Sequence, residues 1–284
     1  MILVTAATGQ LGRLALVALA EKVGANNVIA AVRNPEKAQD LAQQGFEVRH
    51  ADYEKPASLQ AALKGVEKVL LISSSEIGQR APQHQAVIDA AREQGVSLLA
   101  YTSILNATSS PLALAQEHAA TEHALAASGV PFVLLRNGWY LENHLAGARQ
   151  AVDMGAVFGA AEDGKFSSAT RADFAQAAAE ILTRPNQAGK VYELAGSEGF
   201  TLTEYAAALS DISGKTVNYT SFDESQYRVA LIDAGLPEGF AAILADSDAQ
   251  AAKGALFSTS QDLETLLSRK TTSMREALEK TLKR

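Results

Sequence analysis

The chain has no cysteine. Disulfides, thiolate catalysis and cysteine-ligated metals are therefore excluded. It has no basic cluster, and its net charge is −7 over 284 residues, which argues against a nucleic-acid partner. No apolar run approaches the ~18 residues of a membrane span, so no membrane insertion is expected. The first apolar run carries no basic flank and ends at once in a glycine turn, unlike a secretory signal. A cytoplasmic protein is the expectation. His50, His84, His123 and His144 show no zinc-ligand spacing, and no metal is expected. Repeats and low-complexity segments are also missing. What remains, 47% hydrophobic and 20% charged residues, is ordinary for a globular enzyme.

The chain opens with a short apolar run, Ile2-Leu3-Val4-Thr5. Ala6-Ala7-Thr8-Gly9-Gln10-Leu11-Gly12 follows, and an amphipathic stretch with Leu11, Leu14, Leu19 and Val23 comes next. This reads as strand, glycine turn, helix. Such a turn leaves backbone N–H groups at a helix N-terminus, where the dipole favours anions. Gly9 would admit a pyrophosphate to the backbone, and Gly12 would let the helix pack closely on the strand. A strict GxxGxxG pattern would place glycine at position 6, and the chain has Ala6 there. If that residue needs φ > 0, alanine costs roughly 1–2 kcal/mol.

Apolar runs at Val28–Val32, Phe46–His50, Val69–Ile72, Leu98–Thr102 and Phe132–Leu135 predict five more strands. Helices are expected between them, over about 34–44 (capped by Asn34 with Pro35 at the first position), 56–63, 83–94 and 112–128. Continuous apolar strands alternating with helices signify a parallel sheet covered on both faces. The fold class is α/β, a doubly wound Rossmann sheet with ligands at the C-terminal strand ends. Beyond about Met154 the rhythm changes. Val157–Gly159 and Lys165–Ser168 flank Asp163-Gly164, which predicts a hairpin. A helix over about 173–183 and a strand at Val191–Leu194 follow, the strand rejoining the main sheet. Thr201 and Ser273 open capping boxes with Glu204 and Glu276. The expected division is a dinucleotide-binding domain over 1–154 and a smaller, mainly helical domain over 155–284.

Arg33 ends the second strand about twenty residues after the turn. An acid there would bind ribose hydroxyls and select NAD, whereas an arginine would clamp a 2′-phosphate and select NADP. Asp52, ending the third strand, is placed either to meet the adenine edge or to form a turn. Ser73, Ser74 and Ser75 end the fourth strand, as a polar loop or as contacts to the nicotinamide ribose.

Thr5 to Gly12, Arg33-Asn34-Pro35, Ser73–Ser75, Tyr101-Thr102-Ser103 and Arg136 to Asn143 together resemble the NmrA-like, atypical short-chain dehydrogenase/reductases. Bacterial NAD(P)H:quinone oxidoreductases of type 2 are the nearest in pattern, with triphenylmethane dye reductases as near relatives. Ser168 to Asp173 and Tyr192 to Gly196 extend the resemblance to essentially the whole chain. It implies NADPH as cofactor, a small quinone as substrate and a substrate-capping second domain. It also implies that Asn137, Gly138, Trp139, Tyr140, Leu141, Glu142 and Asn143, with Ala169, Thr170 and Arg171, line the nicotinamide and the acceptor.

Most short-chain dehydrogenases carry Tyr-x-x-x-Lys after the fifth strand. The two positions fall here on Leu114 and His118, and no lysine occurs from Leu112 to Ser128. Alcohol oxidation needs a positioned acid/base. A quinone needs it less, because a hydroquinone anion is a weak base that water protonates. Asn143 is the candidate for orienting the quinone oxygen. His118 is a candidate proton donor or a hydrogen-bonded helix histidine. Trp139 and Tyr140 serve as core or as a stacking wall. Two rival readings stand beside quinone reduction, a non-catalytic NADP(H) redox sensor and a dye or xenobiotic reductase.

Overall fold

The computed structural model describes residues 1–283. Its strands are β1 (Ile2–Val4), β2 (Val28–Val32), β3 (Glu47–His50), β4 (Lys68–Leu71), β5 (Leu98–Ile104), β6 (Phe132–Asn137), β7 (Ala156–Gly159), β8 (Val191–Leu194) and β9 (Asn218–Ser221). Seven form one sheet in the order β3-β2-β1-β4-β5-β6-β8. The β1–β6 pairings are all parallel, with Leu3 opposite both Ile29 and Val69. β1 and β2 are buried at every residue. That is why they read as unbroken apolar runs. As expected, β8 rejoins the sheet, beside β6.

Contacts group the chain into two compact units that interleave in sequence. The first comprises Met1–Ala107, Glu117–Asn137 and Arg171–Glu193. The second comprises Thr108–Gln116, Gly138–Thr170 and the chain from Leu194. In the first unit, helix Gln10–Val23 packs against helix Arg171–Thr183. Strand order reverses between β1 and β4, which lie side by side with connections running to opposite edges. The crevice outside their C-terminal ends is the topological switch point of a doubly wound sheet.

The hairpin expected around Asp163-Gly164 does not form. β7 pairs in parallel with β9, and Phe166 instead bridges antiparallel to Phe200. Two packing facts explain it. A Cβ at Gly164 would sit 2.3 Å from the Ala251 carbonyl oxygen, so the turn is pressed against helix Glu238–Ala251. Phe166 and Phe200 are both buried, and their mutual packing decides the partner of that segment. Both expected capping boxes are present, at Thr201/Glu204 and Ser273/Glu276. A third, at Asp223/Gln226, opens helix Glu224–Asp233. The expected helix after Asn34 is split into a 3-10 turn, Pro35–Ala38, and helix Gln39–Gln43, with the Asn34 side chain accepting from the Glu36 N–H.

Candidate active site

The turn after β1 and the loop after β4 leave the sheet together. Thr5 N–H donates to the Leu70 carbonyl at 3.0 Å, and Ile72 N–H donates to Thr5 Oγ1 at 3.0 Å. The turn itself is tight. Ala6 adopts φ 48, the left-handed conformation that glycine takes without strain. Gly9 N–H donates back to the Ala6 carbonyl at 2.9 Å. A Cβ on Gly12 would lie 2.4 Å from the Ala6 oxygen and 2.8 Å from the Ala7 Cα, so only glycine fits there. Ala7 and Leu11 are buried, while Thr8, Gly9 and Gln10 are exposed. The helix begins at Gln10 with no side-chain cap on its first N–H groups. Its open donors suit an anion. Arg13 steadies the turn through Nε to the Thr8 carbonyl at 3.2 Å and pairs with Asp40.

Arg33 stands exposed at the end of β2, with Nη1 3.0 Å from Glu76 Oε1. Asp52 is buried and shapes a turn: Oδ1 accepts from the Glu54 N–H at 3.1 Å, and Oδ2 pairs with Lys55 at 3.1 Å. Burial works to raise its pKa, but the Lys55 ammonium and the Glu54 N–H outweigh it and hold the carboxyl below its ordinary value.

The serine loop is bound to the helices beneath it. Ser73 N–H donates to Thr102 Oγ1 at 2.9 Å. Ser74 N–H donates to His84 Nε2 at 2.9 Å, and the Ser74 carbonyl accepts from Arg80 Nε at 2.7 Å. Ser75 is exposed. His84 is fully buried, and its tautomer follows from its partners. The Thr121 hydroxyl gives its proton to the Glu117 carbonyl at 3.0 Å, so His84 Nδ1 is the donor in its 2.9 Å contact with Thr121. Nε2 is then free to accept from Ser74. Burial, reinforced by Arg80, lowers the His84 pKa to about 3.

His118 is also buried, with Nδ1 2.8 Å from Tyr101 Oη. Burial, then Arg80 and His84, keep its pKa well below the ordinary value. An imidazole so placed is neutral at physiological pH. At the ends of β5 and β6, Glu122 accepts from Ser103 Oγ at 2.6 Å and from Arg136, and Arg136 also pairs with Glu193 at 2.8 Å. Asn137 closes β6. It is buried, and its Oδ1 has no hydrogen-bond partner. A buried acceptor left open costs stability and marks a place for a ligand's donor.

In the second unit, two segments singled out in the sequence meet. Tyr140 bridges in parallel to Ala169. Leu141 N–H donates to the Ala169 carbonyl at 2.9 Å, and Ala169 N–H donates to the Trp139 carbonyl at 3.2 Å. Gly138 N–H is held by the Leu194 carbonyl at 2.7 Å. Arg171, where the chain passes into the first unit, is half-buried; Trp139, Tyr140, Glu142 and Thr170 are half-buried, Leu141 and Ala169 buried, and Asn143 exposed. Its N–H donates to the Tyr140 carbonyl at 3.0 Å. His144 follows, ringed by Phe166, Phe200 and Tyr205 at centroid distances of 4.9, 5.2 and 5.8 Å. Burial lowers its pKa to about 4. His84, Glu76, Arg80 and His144 were not singled out in the sequence. Each acts through partners distant along the chain, which residue spacing does not register.

A family model described as NAD(P)H-binding matches residues 6–185. Quinone oxidoreductase 2 of Escherichia coli (strain K12) is 54% identical over 278 residues, covering 98% of this chain and 97% of that protein. The crystal structure of an NADPH-dependent quinone oxidoreductase from Escherichia coli, complexed with NADPH, superposes with a TM-score of 0.97 at 53% identity, covering 99% of this chain and all of that one. The Citrobacter sp. triphenylmethane reductase complexed with NADP(H) gives a TM-score of 0.96 at 40% identity, covering 99% and 100% of the two chains.

Proposed function

The chain belongs to the NAD(P)H-binding family, and from that premise we propose that it is an NADPH-dependent quinone oxidoreductase. The observation that carries the reading is the 54% identity to quinone oxidoreductase 2 along nearly the full length of both chains. The absent Tyr/Lys pair supports it, since an acceptor that yields a weakly basic product dispenses with a positioned acid. No helix among the described residues is long and apolar enough to cross a membrane. We place the protein in the cytoplasm, acting on a small-molecule quinone, with no nucleic-acid partner.

The residues fit the cofactor on three observations: a helix N-terminus without a side-chain cap, a turn against which only Gly12 can lie, and the open Asn137 acceptor. NADPH, when bound, supplies a hydride. Ala6 to Gly12 hold the pyrophosphate on backbone N–H groups, and Arg33 holds the 2′-phosphate. Asp52 shapes the adenine end as a turn residue. Ser73, Ser74 and Ser75 serve the nicotinamide ribose. Asn137 Oδ1 accepts from the carboxamide, and Gly138, Trp139, Tyr140, Leu141 and Glu142 line the ring. Trp139, Asn143, Ala169, Thr170 and Arg171 receive the quinone, with the Asn143 amide orienting its oxygen. Catalysis is mainly proximity, the reacting atoms being held about 3–3.5 Å apart. His118, neutral and bonded to Tyr101, keeps the helix in place, and water supplies the proton.

The test is NADPH and NADH oxidation against a panel of quinones, triphenylmethane and azo dyes, and simple ketones, with wild type and His118→Ala across pH 5.5 to 8.5 (roughly the histidine range). Quinones should turn over, ketones should not, and His118→Ala should lose less than about tenfold. A general acid contributes about 10²–10⁴-fold, so a hundredfold loss with a vanished pH limb would make His118 the proton donor. Binding of NADPH without oxidation by any acceptor would favour a redox sensor.

A further inference from the structure

β2 ends without an acid, yet the fold returns one to the same place. Glu76, in the loop after β4, sets Oε1 3.0 Å from Arg33 Nη1. This carboxylate is held from behind. Its other oxygen accepts from Gln83 Nε2 at 2.7 Å, and Gln83 is itself buried. The Glu76 N–H donates to Ser74 Oγ at 3.2 Å, and Ser74 is anchored on His84 and Arg80. A chain of bonds thus runs from the interior of the first unit out to an exposed carboxylate on the guanidinium expected to read the dinucleotide.

We propose that Glu76 sets how strongly the protein prefers NADPH over NADH. The inference rests on the cofactor reading above. Two effects act in the same direction. A carboxylate bound to Arg33 competes with a 2′-phosphate for the guanidinium and repels its charge. The same carboxylate is an acceptor for the ribose 2′-hydroxyl of NADH, the role that an acid after the second strand plays in NAD-selective sheets of this kind. Arg33 creates the preference for phosphate, and Glu76 narrows it. Sequence position hides the pairing, because the two residues lie 43 apart.

Glu76→Gln keeps the shape and removes the charge. Titration of the full chain with NADPH and NADH should show NADPH binding tightened about three- to fivefold, the scale of an exposed ion pair, with NADH binding unchanged or weaker. Glu76→Ala should act in the same direction on NADPH. A readout free of turnover uses 2′,5′-ADP and 5′-AMP by calorimetry: Glu76→Gln should tighten the first and leave the second. With Arg33→Ala already in place, Glu76→Gln should gain less for NADPH, because no guanidinium remains to compete for. If wild type binds neither NADPH nor 2′,5′-ADP, the cofactor reading itself falls. If wild type binds NADPH and Arg33→Ala abolishes the preference, but Glu76→Gln leaves the ratio within about twofold, the role of Glu76 falls and the cofactor reading stands. Equal tightening of both dinucleotides would also overturn the role of Glu76, since it would report a looser loop and no reading of the 2′ position.

Discussion

The loop after β4 and the loop after β6 both carry residues proposed for the cofactor, and they are held by different means. The β4 loop hangs on side chains. Ser74 is fixed at its N–H by His84 and at its carbonyl by Arg80, and the Gly78 N–H donates to Glu117 at 3.0 Å. The β6 loop hangs on backbone. Gly138, Leu141 and Ala169 exchange main-chain bonds with Leu194, Ala169 and Trp139. Side-chain anchors tie a loop to single residues and to their protonation state. Backbone anchors hold a loop through groups that every non-proline residue carries, whatever its side chains are. The dinucleotide is constant and the acceptor differs among the dye and quinone reductases this chain resembles, so the two kinds of anchor suit their two tasks.

Acid should break the comparison most. Burial lowers the pKa of His84 to about 3, of His118 well below its ordinary value, and of His144 to about 4. An unfolded histidine titrates near 6.5. Above that pH both states are neutral at these sites, and stability does not change. Below it the unfolded chain binds protons that the folded chain refuses, so stability falls with pH until each folded pKa is reached. Each histidine contributes up to about 1.4 kcal/mol per pH unit, and the three together up to about 4 kcal/mol per unit between pH 6 and 5. Denaturant midpoints across pH 5 to 8 measure this. Hydrogen exchange localises it: the Leu141 amide, in the short helix that carries His144 with its pKa of about 4, should lose protection at a higher pH than the Ser74 amide, held by His84 with its pKa of about 3. Loss at the same pH at both would erase this distinction between the loops.

Single substitutions sharpen the same contrast. His84→Ala removes a fully buried ring and strands the Ser74 N–H and the Thr121 hydroxyl oxygen. Each stranded group costs about 1–3 kcal/mol, so a loss of roughly 3–5 kcal/mol is expected, with a raised KM for NADPH. Ser168→Ala removes only the 3.4 Å contact to His144 Nε2 in the second unit. It should cost about 1 kcal/mol or less. Comparable unfolding shifts for the two variants would mean that the β4 loop does not depend on its side-chain anchors.

The seven strands of the main sheet, the parallel run of β1 to β6 and the glycine turn were legible because each is a local pattern: apolar runs, breakers, a turn before an amphipathic helix. Arg33 was legible for the same reason, lying a fixed distance after that turn. The Asp163-Gly164 hairpin misled because a dipeptide specifies a turn and says nothing of what the strands pair with. There, Ala251 and Phe200 decided. Glu76 and His84 were illegible because their work is done across 43 and 37 residues of chain, by partners that only the sheet brings together. The interleaving of the two units has the same cause: no residue near Arg171 marks the return of the chain to the first.

The smallest effect expected is at Ala6, in the turn after β1 that Thr5 ties to the β4 loop. Ala6 holds φ 48, a conformation costing an L-residue roughly 1–2 kcal/mol. Glycine there would relieve that strain, but would add about 0.4–1 kcal/mol of chain entropy to the unfolded state. The difference favours Ala6→Gly by about 0.5–1 kcal/mol. The turn would not loosen with it. Its shape is set by the Gly9 N–H on the Ala6 carbonyl and by Gly12, whose missing Cβ leaves room for that same oxygen. Those constraints are backbone features that glycine at position 6 retains. Ala6→Gly should therefore raise the unfolding temperature slightly and preserve or improve NADPH affinity. Thermal unfolding and dinucleotide titration on the same preparation measure both. A drop in affinity with stability unchanged would assign the Ala6 methyl a contact with the cofactor. A drop in stability would mean that the strain at φ 48 is smaller than the entropy glycine adds.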